Sequence, residues 1–342
     1  MLVAASHCGF GDVIPGGLGV TVFFFLSGYL ITTLLEREFA FSGTISFRRF
    51  FARRVARLAP AFLVTLAMAD TLVHFGLLSG KVTWTGSLAQ IFYFANYYSV
   101  FFGGSQYIAG GTATYWSLSV EEHFYLLYPF LVSFLLFRRD KKYRAIFFLC
   151  ATSIVFCWRI YLASKGSVNS DRIYYLTDTR VDSILWGCFF ATAVPQLSSH
   201  QIDVSYRKTI VLLTSGIGLI LLSLVIRNQF FRDTFRYTLQ GVALIPIFYS
   251  LLCAPNTGIH KLLNSPLMSN LGKLSYGFYL NHLIIITFLT EHTGLGSHHF
   301  LLFIAAASLA FIIAWIITKN IEYPFRRWNA VATRVASMPV TV

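Results

Sequence analysis

The stretch that decides the fold is WSLSVEEHFYLLYP, residues 116–129, which opens a long apolar run. The run continues through 130–137 and ends at a basic cluster at 138–144. A charged side chain in hydrocarbon costs roughly 2.5–3.5 kcal/mol on insertion scales, so it usually faces a bundle interior or a watery cavity. Helical spacing gathers the polar residues of this stretch on one face: Ser117, Glu121, Tyr125 and Tyr128. We therefore predict a polar stripe inside a membrane protein.

The composition supports that prediction for the whole chain. Hydrophobic residues make up 56% of the 342 residues and charged residues 12%, with a mean hydropathy of +0.64. Soluble domains carry about twice that charged fraction. The length leaves room for roughly ten spans of about 20 residues with short loops. We predict an all-α, polytopic transmembrane helical bundle of about ten spans, the first one truncated, in the cell (inner or cytoplasmic) membrane of a bacterium.

The net charge of +13 does not indicate nucleic acid, because the basic residues cluster between apolar runs. There they are typical of topology signals and of contacts with anionic headgroups or a phosphorylated substrate. We predict membrane lipids as partners and no nucleic acid. The five cysteines lack metal-ligand spacing, so we expect buried thiols and no metal site.

Hydrophobic runs predict spans at 17–35, 58–78, 115–137, 145–164, 180–197, 209–226, 237–254, 273–291 and 299–319. Residues 85–102 are aromatic and contain Asn96, which favours a re-entrant or interfacial segment over a crossing. The basic stretches 48–57, 138–144 and 319–327 predict the cytoplasmic side, although Arg227, Arg232 and Arg236 fall on the other side in this scheme. We predict one membrane-embedded domain over 1–330 and a cytoplasmic tail over 331–342.

Four further stretches carry polar groups that are unusual for lipid-embedded helices. His7 precedes a run rich in Gly, Ser and Thr at 15–32, which by itself indicates close helix packing. Arg54 and Arg57 share a helical face suited to phosphate, although such arginines alone are more often topology signals. The remaining candidates are Arg180 and Asp182, which point to different faces and so need separate partners, then Ser275, Tyr279 and His282 on one side of a span, and Glu322.

Taken together, these strings resemble the membrane-bound acyltransferase family 3 of sugar and polysaccharide O-acyltransferases. GGLGVTVFFFLSGYLIT resembles the second-helix signature of that family, RRVARLAP its arginine loop, and WSLSVEEHFYLLYP its most diagnostic string. TRVDSILWG, LSYGFYLNH and EYPFRR follow in the same order as the later family blocks. The resemblance covers nearly the whole chain, from His7 to Arg327.

The resemblance implies transfer of an acyl group, usually acetyl, from acyl-CoA to a hydroxyl of a sugar. Family acceptors include lipopolysaccharide, surface polysaccharide and small glycosides. By position, His7 and Glu121 are the expected catalytic residues, and Arg53, Arg54 and Arg57 the expected acyl-CoA contacts. Expected substrate-binding or structural polar residues are Ser117, Glu122, Tyr125, Arg180, Asp182, Tyr279, His282 and Glu322.

One position departs from the family pattern. A basic residue stands eleven positions before the essential histidine in the family, and His7 is too close to Met1 for that position to exist here. We expect either that the first helix starts upstream of Met1, or that the chain is a fragment or an inactive copy. The first is favoured because the downstream strings are intact.

The expected chemistry needs no permanently bound cofactor, because a thioester is already activated. A neutral imidazole, with a pKa of about 6.5, can take a hydroxyl proton at neutral pH. His7 would act as this base, or as a transient acyl carrier, with Glu121 orienting its ring.

The main alternative function is a transporter or flippase of a glycan or lipid-linked intermediate, which would use the same polar residues as a translocation path. A scaffold whose polar groups only satisfy each other is the third reading.

Overall fold

The computed structural model describes residues 1–166, 169–194, 206–253 and 258–327. Within these ranges it is helical and contains no strand, apart from one isolated bridge that pairs Gly80 with Ala109. The helices in chain order are α1 (Leu2–Ala5), α2 (Gly16–Ser42), α3 (Phe47–His74), α4 (Trp84–Ile91), α5 (Ala95–Phe101), α6 (Trp116–Leu131), α7 (Lys141–Ser164), α8 (Ser170–Tyr175), α9 (Thr177–Arg180), α10 (Asp182–Ala193), α11 (Tyr206–Val225), α12 (Gln229–Asp233), α13 (Phe235–Cys253), α14 (Gly258–Leu263), α15 (Pro266–His292) and α16 (His299–Ile317). Single π-helical turns extend α1, α6 and α16, over Ser6–Phe10, Val132–Leu136 and Thr318–Glu322.

Six helices in the described part are long and apolar enough to cross a membrane: Gly16–Ser42, Phe47–His74, Lys141–Ser164, Arg207–Val225, Phe235–Leu252 and His299–Arg327. The chain is therefore a membrane protein. The predicted count of about ten spans is not confirmed. Helix α10 has only 12 residues, and α6 has 16 before its π-helical turn. Helix α15 is long enough, with 27 residues, but polar residues such as Asn281 and His282 interrupt its apolar sequence.

The segment 85–102 forms no long helix. It is divided between α4 and α5, of 8 and 7 residues. Tyr93, between them, has a positive φ of 60°, which breaks the helix because L-residues rarely adopt this conformation. Neither helix is long enough to cross a bilayer, so the expectation that this segment does not cross as a plain span is confirmed.

Helices α2 and α10 approach each other closely through facing glycines. A Cβ on Gly28 would collide with the carbonyl oxygen of Ile184, and one on Gly187 with that of Phe25. This close approach accounts for Gly28, whereas Gly16 and Gly19 of the same run face the first helix and its π-helical turn. The crossing positions the polar residues of α2, including Ser27, against α6.

The basic stretch 48–57 is helical, as the predicted common face of Arg54 and Arg57 requires, although the predicted span began only at residue 58 and the resemblance implied an arginine loop before it. Helix α2 ends at Gly43, whose φ of 68° gives the left-handed C-cap. The turn 43–46 is short, and α3 begins at Phe47. The arginines therefore occupy the first turns of α3.

The cysteine prediction needs a partial correction. Cys8 and Cys188 are buried, whereas Cys150 and Cys157 are exposed on the protein surface. Both exposed thiols lie on α7, which keeps much of its surface outside the bundle. The predicted tail at 331–342 lies outside the described residues.

Candidate functional site

His7 lies at the end of the first helix, where the chain turns sharply. Helix α1 ends in a π-helical turn that contains Gly9 at a φ of 94°. A side chain at Gly9 would collide with the imidazole ring of His299, so only glycine allows this turn to pack on α16. The turn leaves His7 exposed, with its ring centroid 5.7 Å from that of His282.

His282 is held in one tautomer inside the bundle. Its Nδ1 lies 2.6 Å from the carbonyl oxygen of Tyr279. Because a carbonyl oxygen only accepts, Nδ1 carries the proton and Nε2 keeps a lone pair. This Nε2 is buried, and no hydrogen-bond partner for it occurs among the described residues. The imidazole is thus presented as a proton acceptor next to His7.

Ser275, Tyr279 and His282 line one cavity of about 320 Å³ with Ser117 of α6, which confirms their predicted common side. The rest of its lining is mostly apolar, from α1, α2 and α15. Tyr279 joins α15 to α6, because its hydroxyl lies 2.6 Å from Ser117 Oγ and donates to the carbonyl of Thr114 at 2.9 Å. The cavity therefore has a mainly apolar wall with a few convergent polar groups, which is typical of small-molecule sites.

The predicted polar stripe on α6 faces α2. The Tyr125 hydroxyl donates to Glu121 Oε1 at 3.2 Å and also bonds with Ser27 Oγ. One turn further, Tyr128 bonds with Thr32 at 2.5 Å. Glu121 is buried, and its hydrogen bonds lead toward α2. Within the described chain, no hydrogen bond joins Glu121 to His7, so the expected orientation of the His7 ring by Glu121 is absent from this arrangement.

The arginines of α3 lie beside this stripe. The Arg54 guanidinium is centred 4.0 Å from the Tyr125 ring and interacts electrostatically with Glu121 and Glu122. Arg53 is largely exposed and forms an ion pair of 3.2 Å with Glu38.

The C-terminal end of the π-helical turn after α16 carries a separate ion pair near the same arginines. Glu322 pairs with Arg326 at 2.8 Å. Arg57 is exposed on α3 and interacts electrostatically with both residues. Glu322 therefore lies with the arginine group rather than with the histidines.

Arg180 and Asp182 have separate partners on other helices, as their spacing predicts. Asp182 forms a completely buried ion pair with Arg159 of α7, with 2.7 Å between Nη2 and Oδ2. Arg180 bonds with Thr21 of α2 at 3.3 Å and is centred 3.7 Å from the Tyr237 ring. Both residues connect α9 and α10 to the bundle.

Sequence reasoning missed Arg159. It is fully buried and also donates to the carbonyl oxygen of Thr179 at 2.7 Å. A lone arginine within an apolar run is a recognisable signal, because a charge there needs a partner. The identity of that partner could not be read from the sequence.

No group of three or more His, Cys, Asp or Glu side chains that could hold a metal occurs in the ranges that the structure describes. Among the described residues, Arg54 and Arg57 on α3 are candidates for contact with an anionic substrate, and the neighbouring imidazoles of His7 and His282 are candidates for moving a proton.

Comparison with known proteins gives one consistent result. A family model described as an acyltransferase domain matches residues 2–319. The Staphylococcus aureus (strain COL) protein named "Putative O-acetyltransferase SACOL0978" is 31% identical over 326 residues, which cover 91% of this chain and 53% of that protein. The O-acetyltransferase OatA of Staphylococcus aureus (strain NCTC 8325 / PS 47) is 30% identical over 325 residues, with the same coverage of 91% and 53%.

The chain thus spans about half the length of the curated relatives it matches. No solved structure matches it significantly. Since the family model covers nearly the whole chain, including both histidines and the polar stripe of α6, this protein belongs to the acyltransferase domain family.

Proposed function

We propose that this protein transfers an acyl group, acetyl in the first instance, from acyl-CoA to a hydroxyl of a sugar. The acceptor would belong to a cell-surface polysaccharide, a lipopolysaccharide or a small glycoside, and the protein would act in the bacterial cell membrane. The observation that carries the proposal is the pair of neighbouring imidazoles, 5.7 Å apart, beside a cavity whose wall is mostly apolar. The names of the O-acetyltransferase relatives support the choice of acetyl.

His7 is the general base of the proposed reaction. Its exposed ring can reach a hydroxyl that enters from outside the bundle. The imidazole removes the hydroxyl proton while the oxygen attacks the thioester carbonyl carbon, and the carbon–sulfur bond then breaks. The proton held by His7 passes to the departing sulfur, which leaves as the free thiol of CoA. Atoms and charge balance without a further reactant.

His282 supports this step from inside the cavity. Its Nε2 lone pair is fixed by the bond from Nδ1–H to the Tyr279 carbonyl. A second imidazole that can accept a hydrogen bond would hold the N–H of His7 and so set the tautomer that takes the proton. Glu121, on α6, has a structural role in this proposal: it accepts a hydrogen bond from Tyr125, which also bonds with Ser27 of α2.

Arg54 and Arg57 are the proposed contacts for the CoA phosphates. Guanidinium groups bind phosphate through paired N–H donors. Among the described residues neither has a carboxylate within ion-pairing distance, whereas Arg53 is paired with Glu38. Arg53 is therefore the weakest of the three proposed contacts.

The test replaces His7 by Ala in the full chain, reconstituted in lipid nanodiscs with [¹⁴C]acetyl-CoA and a glycan acceptor. We expect acetyl transfer to fall about 10²- to 10⁴-fold, because that is what general-base catalysis contributes. His292→Ala is the matched control, since this exposed histidine at the end of α15 stacks on Phe288 outside the site.

Donor binding is measured in the same preparation. Saturable acetyl-CoA binding should persist in His7→Ala and weaken when Arg54 and Arg57 are both replaced by Ala. Near wild-type transfer by His7→Ala would remove this residue from the mechanism. Acceptor flux into vesicles that does not depend on CoA would instead favour a transporter.

A further inference from the structure

A second, smaller cavity of about 170 Å³ lies against His7. Its aromatic lining comes from Trp116, Tyr174, Tyr175 and Tyr279, and its polar lining includes His7 and Thr114. It shares only Tyr279 and two valines, Val3 and Val20, with the larger cavity that contains His282. The smaller cavity differs in character from the larger one, because aromatic rings and polar side chains make up much of its wall.

The aromatic rings form one cluster. The centroid of the Trp116 ring lies 4.9 Å from that of Tyr174 and 5.3 Å from that of Tyr175. The Tyr174 and Tyr175 rings are 5.0 Å apart and nearly perpendicular. The end of α8, which carries both tyrosines, is anchored by Asn96, whose side chain donates to the carbonyl of Tyr175 at 3.3 Å. The aromatic wall of the cavity is therefore pre-formed by contacts within the protein.

The guanidinium of Arg180 packs against the rings of this aromatic cluster. Its guanidinium is centred 5.3 Å from the Tyr174 ring and 5.8 Å from the Trp116 ring, and the side chain is fully buried. Burial raises the pKa of the Tyr174 phenol to about 12, despite the opposing effect of the Arg180 charge. Tyr174 is thus a neutral hydroxyl at physiological pH and can both donate and accept hydrogen bonds. Arg180 is a positioning residue, because it acts through the rings.

Thr114 supplies an unused polar group at the same wall. Its backbone carbonyl accepts from Ser117 Oγ and from the Tyr279 hydroxyl. Its own Oγ1 is buried and has no hydrogen-bond partner in the described part of the chain. Leaving a buried hydroxyl unpaired costs stability. The arrangement is explained if a ligand hydroxyl completes the bond.

We propose that this cavity binds the sugar ring that carries the hydroxyl to be acylated. The inference rests on the proposed function and names its acceptor subsite. A pyranose has C–H groups on its faces, which suit the Trp116 and Tyr174 rings, and hydroxyls on its edge, which suit Thr114 and Tyr174. The volume suits a single ring, so the remainder of a longer glycan projects away from the bundle. His7 lines the same cavity, next to the hydroxyl that reacts.

The test uses methyl glycosides of glucose, galactose, rhamnose and N-acetylglucosamine with the full chain in nanodiscs. Thr114→Val keeps the side-chain shape and removes the hydroxyl, and we expect it to raise the acceptor KM about five- to tenfold. Tyr174→Ala should raise it more than tenfold, with Tyr174→Phe in between. The KM for acetyl-CoA should not change in any of these variants. Tyr161→Ala is the control, since Tyr161 is exposed, stacks on Trp158 and lies outside the cavity.

Direct glycoside binding without donor, measured by calorimetry, separates the two proposals. If the wild-type protein binds a glycoside, Tyr174→Ala and Thr114→Val weaken that binding, and no acetyl is transferred, the subsite stands and the proposed transfer fails. If transfer proceeds while both variants keep the wild-type acceptor KM, the subsite is overturned. Absence of binding and of transfer for every glycoside also overturns it.

Discussion

Two completely buried arginines, Arg159 and Arg180, lie in very different surroundings. Arg159 has an ion pair with Asp182, a bond to the Thr179 carbonyl and a bond to Thr238. Arg180 has one weak hydrogen bond, to Thr21, and its Nε and Nη1 find no partner in the described ranges. Its charge is instead surrounded by the aromatic rings of Phe24, Trp116, Tyr174 and Tyr237.

We interpret the difference as one between a structural charge and, under the proposed acceptor site, a charge that supports the wall of the cavity. A buried charge is retained without loss of stability when a partner offsets its desolvation. Arg159 meets that condition and fixes α7 against α10. Arg180 meets it mainly through aromatic faces, which attract a cation less strongly than a carboxylate does, with a weak bond to Thr21 and an electrostatic interaction with Asp182 at longer range. An arginine kept under such conditions is better explained by what it does for the neighbouring wall of the cavity.

The largest effect is expected when the paired arginine is removed. Arg159→Met leaves the Asp182 carboxylate buried without its partner, so we expect a loss of about 3–5 kcal/mol in the free energy of unfolding. Thermal unfolding in detergent, followed by tryptophan fluorescence, measures the shift. The double variant Arg159→Met/Asp182→Leu is the control and should recover most of that loss, because it removes both charges. A single variant as stable as the wild type would show that the pair does not hold α7 and α10 together.

A smaller change in stability is expected at the unpaired arginine. Arg180→Met removes cation–π contacts but breaks no ion pair, so we expect a loss of less than about 2 kcal/mol. The acceptor KM should rise while kcat changes less, because Tyr174 and Trp116 lose their support. Arg180→Lys should restore part of the acceptor affinity. A destabilisation as large as that of Arg159→Met would remove the contrast between the two arginines.

The smallest effect on stability is expected at the exposed ion pair between Arg53 of α3 and Glu38 of α2. Arg53→Ala breaks the exposed ion pair with Glu38, and we expect a change of less than about 1 kcal/mol. Raising the salt concentration should reduce the difference further, since exposed charges are screened. Unfolding measured at low and high salt tests this. A large, salt-independent loss would assign Arg53 a structural role that its exposure does not explain.

The sequence predicted more of the fold than of the site. Apolar runs located the long helices because burial in hydrocarbon requires an uninterrupted apolar stretch. The sequence predicted the ends of helices less accurately. The span predicted at 58–78 begins earlier, at Phe47 of α3, because the charged residues at 48–57 extend the helix beyond its apolar part. The common face of Ser117, Glu121 and Tyr125 followed from helical spacing alone.

The partners of those polar groups could not be read from the chain. Ser27 and Tyr125 are 98 positions apart, and Glu36 and Arg144 are 108 apart. Nothing in local spacing specifies such pairs. For the same reason Glu121 was expected to orient His7, whereas the structure gives it Tyr125 and Ser27, and gives His7 the neighbouring ring of His282.

By itself, the sequence determined that this is a helical membrane protein with ordered acyltransferase strings, because composition and periodicity are local properties. Only the tertiary structure decided which polar atoms are satisfied within the bundle. His282 Nε2 and Thr114 Oγ1 remain unpartnered among the described residues, whereas Arg159 is paired with Asp182. The physical reason is that a buried polar group takes its partner from whichever helix packs against it, and that neighbour is set by the fold.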